Sequence, residues 1–160
     1  MKNKITRIML LTILFSLMAC TKEADVLEPN LIGLYRYRAA HVNNPINMGN
    51  GYYYLDLTLI PGNECVFDNT WEFKADKLIL REGETSCEND SQMISENKII
   101  AEYDYIYVKE NRTIKIFNKN ILVETLRNVK LGYDDNKQTL YFDLWSDTAD
   151  QIVNYYLEEK

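Results

Sequence analysis

The chain has 160 residues, of which 46% are hydrophobic and 12% aromatic, and its 24 acidic residues outnumber 18 basic ones for a formal net charge of −6. That sign argues against nucleic acid or anionic lipid headgroups as partners, because both require a positive face. Glycine and proline are scarce at six and three, and no internal repeat or low-complexity tract interrupts the chain, so a single domain with a real core is expected.

The first element in chain order is an address. Lys2, Lys4 and Arg7 precede an apolar run from Ile8 to Met18 that only Thr12 and Ser16 break, and Ala19 and Cys20 close it. A positive start, a short apolar stretch and a small residue at the cut describe an export signal over residues 1–19. The run has about 11 residues, too few for a spanning helix of roughly 20. Leu17-Met18-Ala19-Cys20 resembles the lipobox of bacterial lipoproteins, with Met18 in place of the usual small residue. The resemblance implies diacylation of the Cys20 thiol with palmitate-like chains, cleavage before Cys20, and acylation of the new amine. Two or three acyl chains anchor stably, which places the protein in the cell envelope, at the outer membrane. Lys22-Glu23 weakly resembles a signal for the outer face of the cell.

Residues 20–30 are polar and acidic and read as a lipidated tether. Cleavage removes three basic residues and no acidic ones, leaving 15 basic against 24 acidic and a charge of −9. A cationic protein partner would be steered to such a surface, although solubility alone is the simpler reading.

From residue 31 to 160 alternation dominates, which is the strand signal. Leu34 to Arg38 opens it, and Ala39 to Gly51, with Asn43-Asn44-Pro45 and Gly49-Asn50-Gly51, reads as a loop. Tyr53, Leu55, Leu57 and Leu59 then alternate against Tyr54, Asp56 and Thr58, before a turn at Pro61-Gly62-Asn63. Trp71, Phe73, Leu78 and Leu80 bracket Ala75-Asp76 as a hairpin. Ile99–Val108, Thr113–Phe117, Ile121–Leu131, Thr139–Trp145 and Ile152–Leu157 complete eight or nine strands joined mostly by short turns, including Asp134-Asp135-Asn136-Lys137. The expected fold is all-β, an antiparallel up-and-down barrel of about eight strands, since closure removes exposed edges. A two-sheet sandwich is the alternative.

With Cys20 assigned to lipid, Cys65 and Cys87 remain as an even pair in an oxidising compartment, so a disulfide is expected. A two-residue loop at Ala75-Asp76 pairs Phe73 with Leu78 and Trp71 with Leu80, and carried outward sets Cys65 opposite Ser86. A bulge at Gly83, or a three-residue loop at Asp76, would bring the cysteines into register. Cys65, Asp68, Trp71, Phe73, Asp76, Gly83 and Cys87 together resemble a segment of lipocalin-like lipoproteins of the Bacteroidetes, and Gly33-x-Tyr35 is similar to the Gly-x-Trp that opens lipocalins. Lys77 and Tyr35 depart from that pattern. The resemblance covers residues 31 to 90 and implies a calycin barrel able to hold a small apolar ligand.

Nothing in the sequence reads as catalytic, and no cofactor motif is expected. His41 is the sole histidine and cannot build a usual zinc site alone, and Asp134-Asp135-Asn136 lacks EF-hand spacing. Tyrosine is the stronger signal, with 12 in the chain. Tyr103, Tyr105 and Tyr107 share one strand face, as do Tyr35 and Tyr37, and such rings either pack the core, line a cavity, or form an outward platform for a protein or sugar. A non-enzymatic binding module is expected, with a ligand cavity lined by Leu55, Leu57, Trp71, Phe73, Tyr103 and Tyr105. An inhibitor or immunity factor, or an accessory subunit of an outer-membrane assembly, is the rival. Asp147-Thr148-Ala149 resembles the O-glycosylation acceptor of Bacteroidetes, which implies modification at Thr148.

Overall fold

In a computed structural model, residues 30–49, 51–85 and 98–160 are described. The expected leader and tether up to residue 29, with Cys20, lie outside the described residues, and so does Cys87. Among the described residues are nine strands: β1 (Gly33–Asn47), β2 (Tyr53–Asp56), β3 (Thr70–Phe73), β4 (Lys77–Arg81), β5 (Ile99–Val108), β6 (Thr113–Asn118), β7 (Ile121–Asp134), β8 (Lys137–Ser146) and β9 (Gln151–Glu159). Between β2 and β3 lie a 3-10 turn, Leu57–Leu59, and one short helix, α1 (Glu64–Phe67).

Every pairing is antiparallel and β1 pairs with β9, so β1 and β3 to β9 close into an eight-stranded up-and-down barrel. Closure excludes the sandwich. The ninth strand, β2, lies against the far half of β1. Two hairpins are tied by two-residue turns whose central residues take positive φ, Lys119 and Asn120 between β6 and β7, and Asp135 and Asn136 between β7 and β8. That backbone twist matches the twist of the strands it joins.

Several expectations change. The stretch from Ala39 to Asn47 is strand rather than loop. Ala39 to Val42 pair with β9, and the Gln151 amide bonds both the N–H and the C=O of Asn44, at 2.9 Å each, standing in for a neighbouring strand. Pro45 sits where no ladder pairing is made, so its missing N–H costs the sheet no hydrogen bond. The expected strand through Leu59 stops at Asp56. Its carboxylate accepts from Thr58 N at 3.0 Å, Thr58 Oγ1 at 2.8 Å and Ala40 N at 3.1 Å, and so caps the 3-10 turn. An alternating apolar pattern cannot reveal that cap.

The hairpin register is the one the apolar pattern predicts, Trp71 with Leu80 and Phe73 with Leu78, but the ladder ends at Thr70 with Arg81. Cys65 therefore lies on α1 rather than on a strand. It is disulfide-bonded, and its partner lies outside the described residues. Gly83 is not a bulge between paired strands. Its N–H donates to Asn69 Oδ1 at 2.9 Å, and a Cβ there would collide with the Asp68 carboxylate and carbonyl.

Inward residues form two clusters. The main one contains Tyr35, Phe73, Leu78, Ile114, Leu126, Leu140, Phe142 and Leu157, all nearly inaccessible, with Tyr103, Tyr105 and Tyr107 packed against it. Ala40, Val42, Leu57, Ile60 and Val153 form the second, under the segment that links β2 to β3. Trp71 on β3 meets Phe142 on β8 at 5.5 Å between ring centroids, although two strands separate them around the wall. A contact across the ring means that side chains fill the barrel centre.

Candidate functional site

Of the six residues expected to line a cavity, Trp71, Phe73, Tyr103 and Tyr105 come together in the main cluster, while Leu55 and Leu57 lie apart from them. Trp71 and Phe73 stack at 6.3 Å, and Phe73 meets Tyr105 edge-on at 5.2 Å, so these three are core. Tyr103 packs on the same cluster. Leu57 belongs to the second cluster, and Leu55 is 54% exposed on the outside. Burial pushes the Tyr35 hydroxyl up to about 12, with Glu159 adding to the rise, and that hydroxyl has no hydrogen-bond partner. Tyr37, whose hydroxyl burial also raises, is pinned edge-on between Phe67 at 5.2 Å and Trp71 at 5.9 Å. The inward tyrosines are structural.

Open space lies instead where the wall parts. β7 and β8 pair continuously from Asp134 with Lys137 to Lys130 with Tyr141, then slip, and meet a last time at Arg127 with Asp143. Two residues of β7, Asn128 and Val129, oppose Phe142 alone, which is a bulge. Asn128 takes φ 51° there, and the Val129 N–H turns to Arg112 O at 2.9 Å, toward β6. Beyond the bulge, Ile121, Leu122 and Glu124 to Leu126 stay paired with β6, and Leu144 to Ser146 stay paired with β9. No ladder joins the two halves.

A cleft of about 530 Å³ fills the gap, walled by Leu122, Val123, Trp145 and Ile152 and reaching Leu144. Leu144 packs on the main core, so the cleft leads from the surface to the interior. Ile121, Leu122, Val123, Trp145 and Ile152 are between 44% and 69% exposed. A second bulge, at Val123 of β7 opposite the step from Ile116 to Phe117 of β6, leaves Val123 without a partner and turns Leu122 outward. Glu124 and Leu126 oppose the buried Ile116 and Ile114, which points Glu124 inward at the mouth, and its charge helps raise the Tyr155 hydroxyl after burial. Asp143 closes the cleft's inner edge, accepting from Asn128 Nδ2 at 2.5 Å and Asn154 Nδ2 at 2.8 Å. The arrangement can hold an apolar body against Leu144 and Trp145 with a polar end near Glu124 and Arg127.

Neither bulge is visible as a pattern in the sequence. The one available signal was Ile121-Leu122-Val123, three consecutive apolar residues where a half-buried strand should alternate. Thr148 lies exposed in the β8–β9 turn beside this end of the barrel. His41, expected at the surface, has Nε2 3.5 Å from Asp56 Oδ2. Among the described residues no group of three or more His, Cys, Asp or Glu could hold a metal ion. Compared with family models, curated proteins and solved structures, the chain matches none.

Proposed function

We propose that this protein is a non-enzymatic, lipid-anchored barrel of the cell envelope that binds a small amphipathic ligand in the cleft between β7 and β8. The carrying observation is that cleft, about 530 Å³ and open along the wall, with exposed Val123 and Trp145 above the core residue Leu144. Its size suits a drug-sized or single-chain ligand, and an apolar lining with a few polar groups is the usual composition of such sites. The lipocalin-like reading of the sequence supports the same class of role, with the ligand displaced from the packed centre to a side opening.

An anchor at Cys20 would tie the protein at the start of β1. Lys160 N bonds Leu34 O at 2.8 Å there, and Gln138 Nε2 bonds Asn30 O at 2.7 Å, so that end also carries the β7–β8 turn. The cleft lies at the opposite end, where β7 begins and β8 finishes. On this reading the cleft opens at the end of the barrel away from where the tether would join it.

Titration of the full chain with dansyl-undecanoic acid tests the site. Saturable, blue-shifted emission is expected, weakened about tenfold or more, or roughly 1.4 kcal/mol, by Trp145→Ala or Val123→Asp. Absence of saturable binding, or binding indifferent to both variants, rejects the cleft. Metabolic labelling with alkynyl palmitate tests the anchor: label should enter the wild type and be absent from Cys20→Ala.

A further inference from the structure

Beyond the seam, the outer face of β8 and β9 carries a second, separate arrangement. Leu140 and Phe142 point inward, so Tyr141 and Asp143 point out. Across the ladder Tyr141 pairs with Tyr156, and Asp143 with Asn154, which in turn pairs with His41 of β1. The two tyrosine rings lie parallel, 4.5 Å apart and 5° from coplanar, and Tyr156 donates its hydroxyl to Asp134 Oδ2 at 3.1 Å. That tie fixes the platform before any ligand arrives. Tyr141 remains 41% exposed.

Beside the rings is a cleft of about 500 Å³ bordered by Tyr141, Tyr156, Asn128, Asn154, Lys130 and His41. Its polar groups carry no charge of one sign: Lys130 and Asp143 are opposite charges, and the two asparagine amides line the cleft with them. Asp143 takes one amide N–H from Asn128 on one oxygen and one from Asn154 on the other, which orients both side chains. Each asparagine keeps its carbonyl oxygen and a second N–H, so acceptors and donors alternate along the edge of the rings. An anion would call for donors only and a cation for acceptors only, whereas a hydroxyl uses both. A long acyl chain would need apolar wall without interruption.

We propose that this face is a second binding site, for a neutral oligosaccharide. The sugar ring presents a face of C–H groups to the negative face of an aromatic ring. Its equatorial hydroxyls then reach the asparagine carbonyls and amides. The site shares only the Asn128–Asp143 hydrogen bond with the seam cleft and does not depend on the amphiphile reading.

The test is calorimetric titration of the full chain with neutral hexasaccharides of glucose, mannose and N-acetylglucosamine, each at concentrations up to millimolar. Saturable binding to at least one is expected. It should fall tenfold or more in Tyr141→Ala and in Asn154→Ala, persist in Tyr141→Phe, and be unaffected by Val123→Asp, the variant that empties the seam. Unchanged thermal melting of the variants establishes that the fold is intact. Failure of every hexasaccharide to bind overturns the proposal, as does binding that survives Tyr141→Ala or that Val123→Asp abolishes.

Discussion

Strand β8 has two seams, and they behave differently. Toward β9 it pairs in unbroken register from Thr139 with Glu158 to Ser146 with Gln151. Toward β7 it pairs well only as far as Lys130 with Tyr141, then slips at Asn128 and Val129 and opens. Both seams are built from the same β8 residues, so composition does not separate them. The difference is one extra residue on β7, placed where Asn128 can adopt positive φ and bond Asp143. A barrel wall thus gains an opening through register rather than through a special sequence of apolar residues.

The largest effect expected from breaking the sealed side is Leu140→Ala. Leu140 is wholly inaccessible, and such a truncation costs about 2–5 kcal/mol. Leu122→Ala on the open side, where the residue is 50% exposed, should cost within about 0.5 kcal/mol. Urea unfolding of both variants measures the contrast, and equal losses would mean that the open seam is packed like the sealed one.

A smaller effect probes the bulge itself. Asn128→Ala places an ordinary side chain at φ 51° and deletes the bond to Asp143, so about 1–2 kcal/mol should be lost. Asn128→Gly relieves the backbone but still lacks the amide, and its smaller loss isolates the hydrogen bond. If neither variant unfolds more readily, the bulge is held by packing alone.

The smallest effect is a pH dependence confined to the sealed side. Hydrogen bonds from Lys137 and Arg36 hold the Glu158 carboxyl below the usual glutamate range, with Arg38 3.9 Å away. Because the folded state lowers this group's pKa, its stabilisation is present above the unfolded value of about 4.3 and is lost as pH falls through the folded one. Thermal melting of Glu158→Gln should therefore lie below wild type at neutral pH and converge with it in acid. Parallel melting curves for wild type and Glu158→Gln would remove the ion pairs from the account.

Much of the wall was legible in the sequence. Trp71, Phe73, Leu78 and Leu80 announce their hairpin and its register because apolar residues must meet apolar residues across a ladder. Ile99 to Val108 is bounded as the alternation predicts. The loop reading failed over Ala39 to Asn47 because Gln151, more than a hundred residues away, supplies the hydrogen bonds that keep Asn44 extended. The strand through Leu59 failed because Asp56 caps a turn and reaches back to Ala40 as well.

The sequence by itself determined the fold class and which faces of most strands turn inward, because both follow from the period of the side chains along a pleated backbone. Where the inward tyrosines end up, and whether they enclose a space, depends on closure. Trp71 and Phe142 meet only when β1 joins β9. The candidate site was decided later still, by a single-residue slip between β7 and β8 that shifts no composition and leaves no motif. A bulge is a relation between two strands, and neither strand carries it alone.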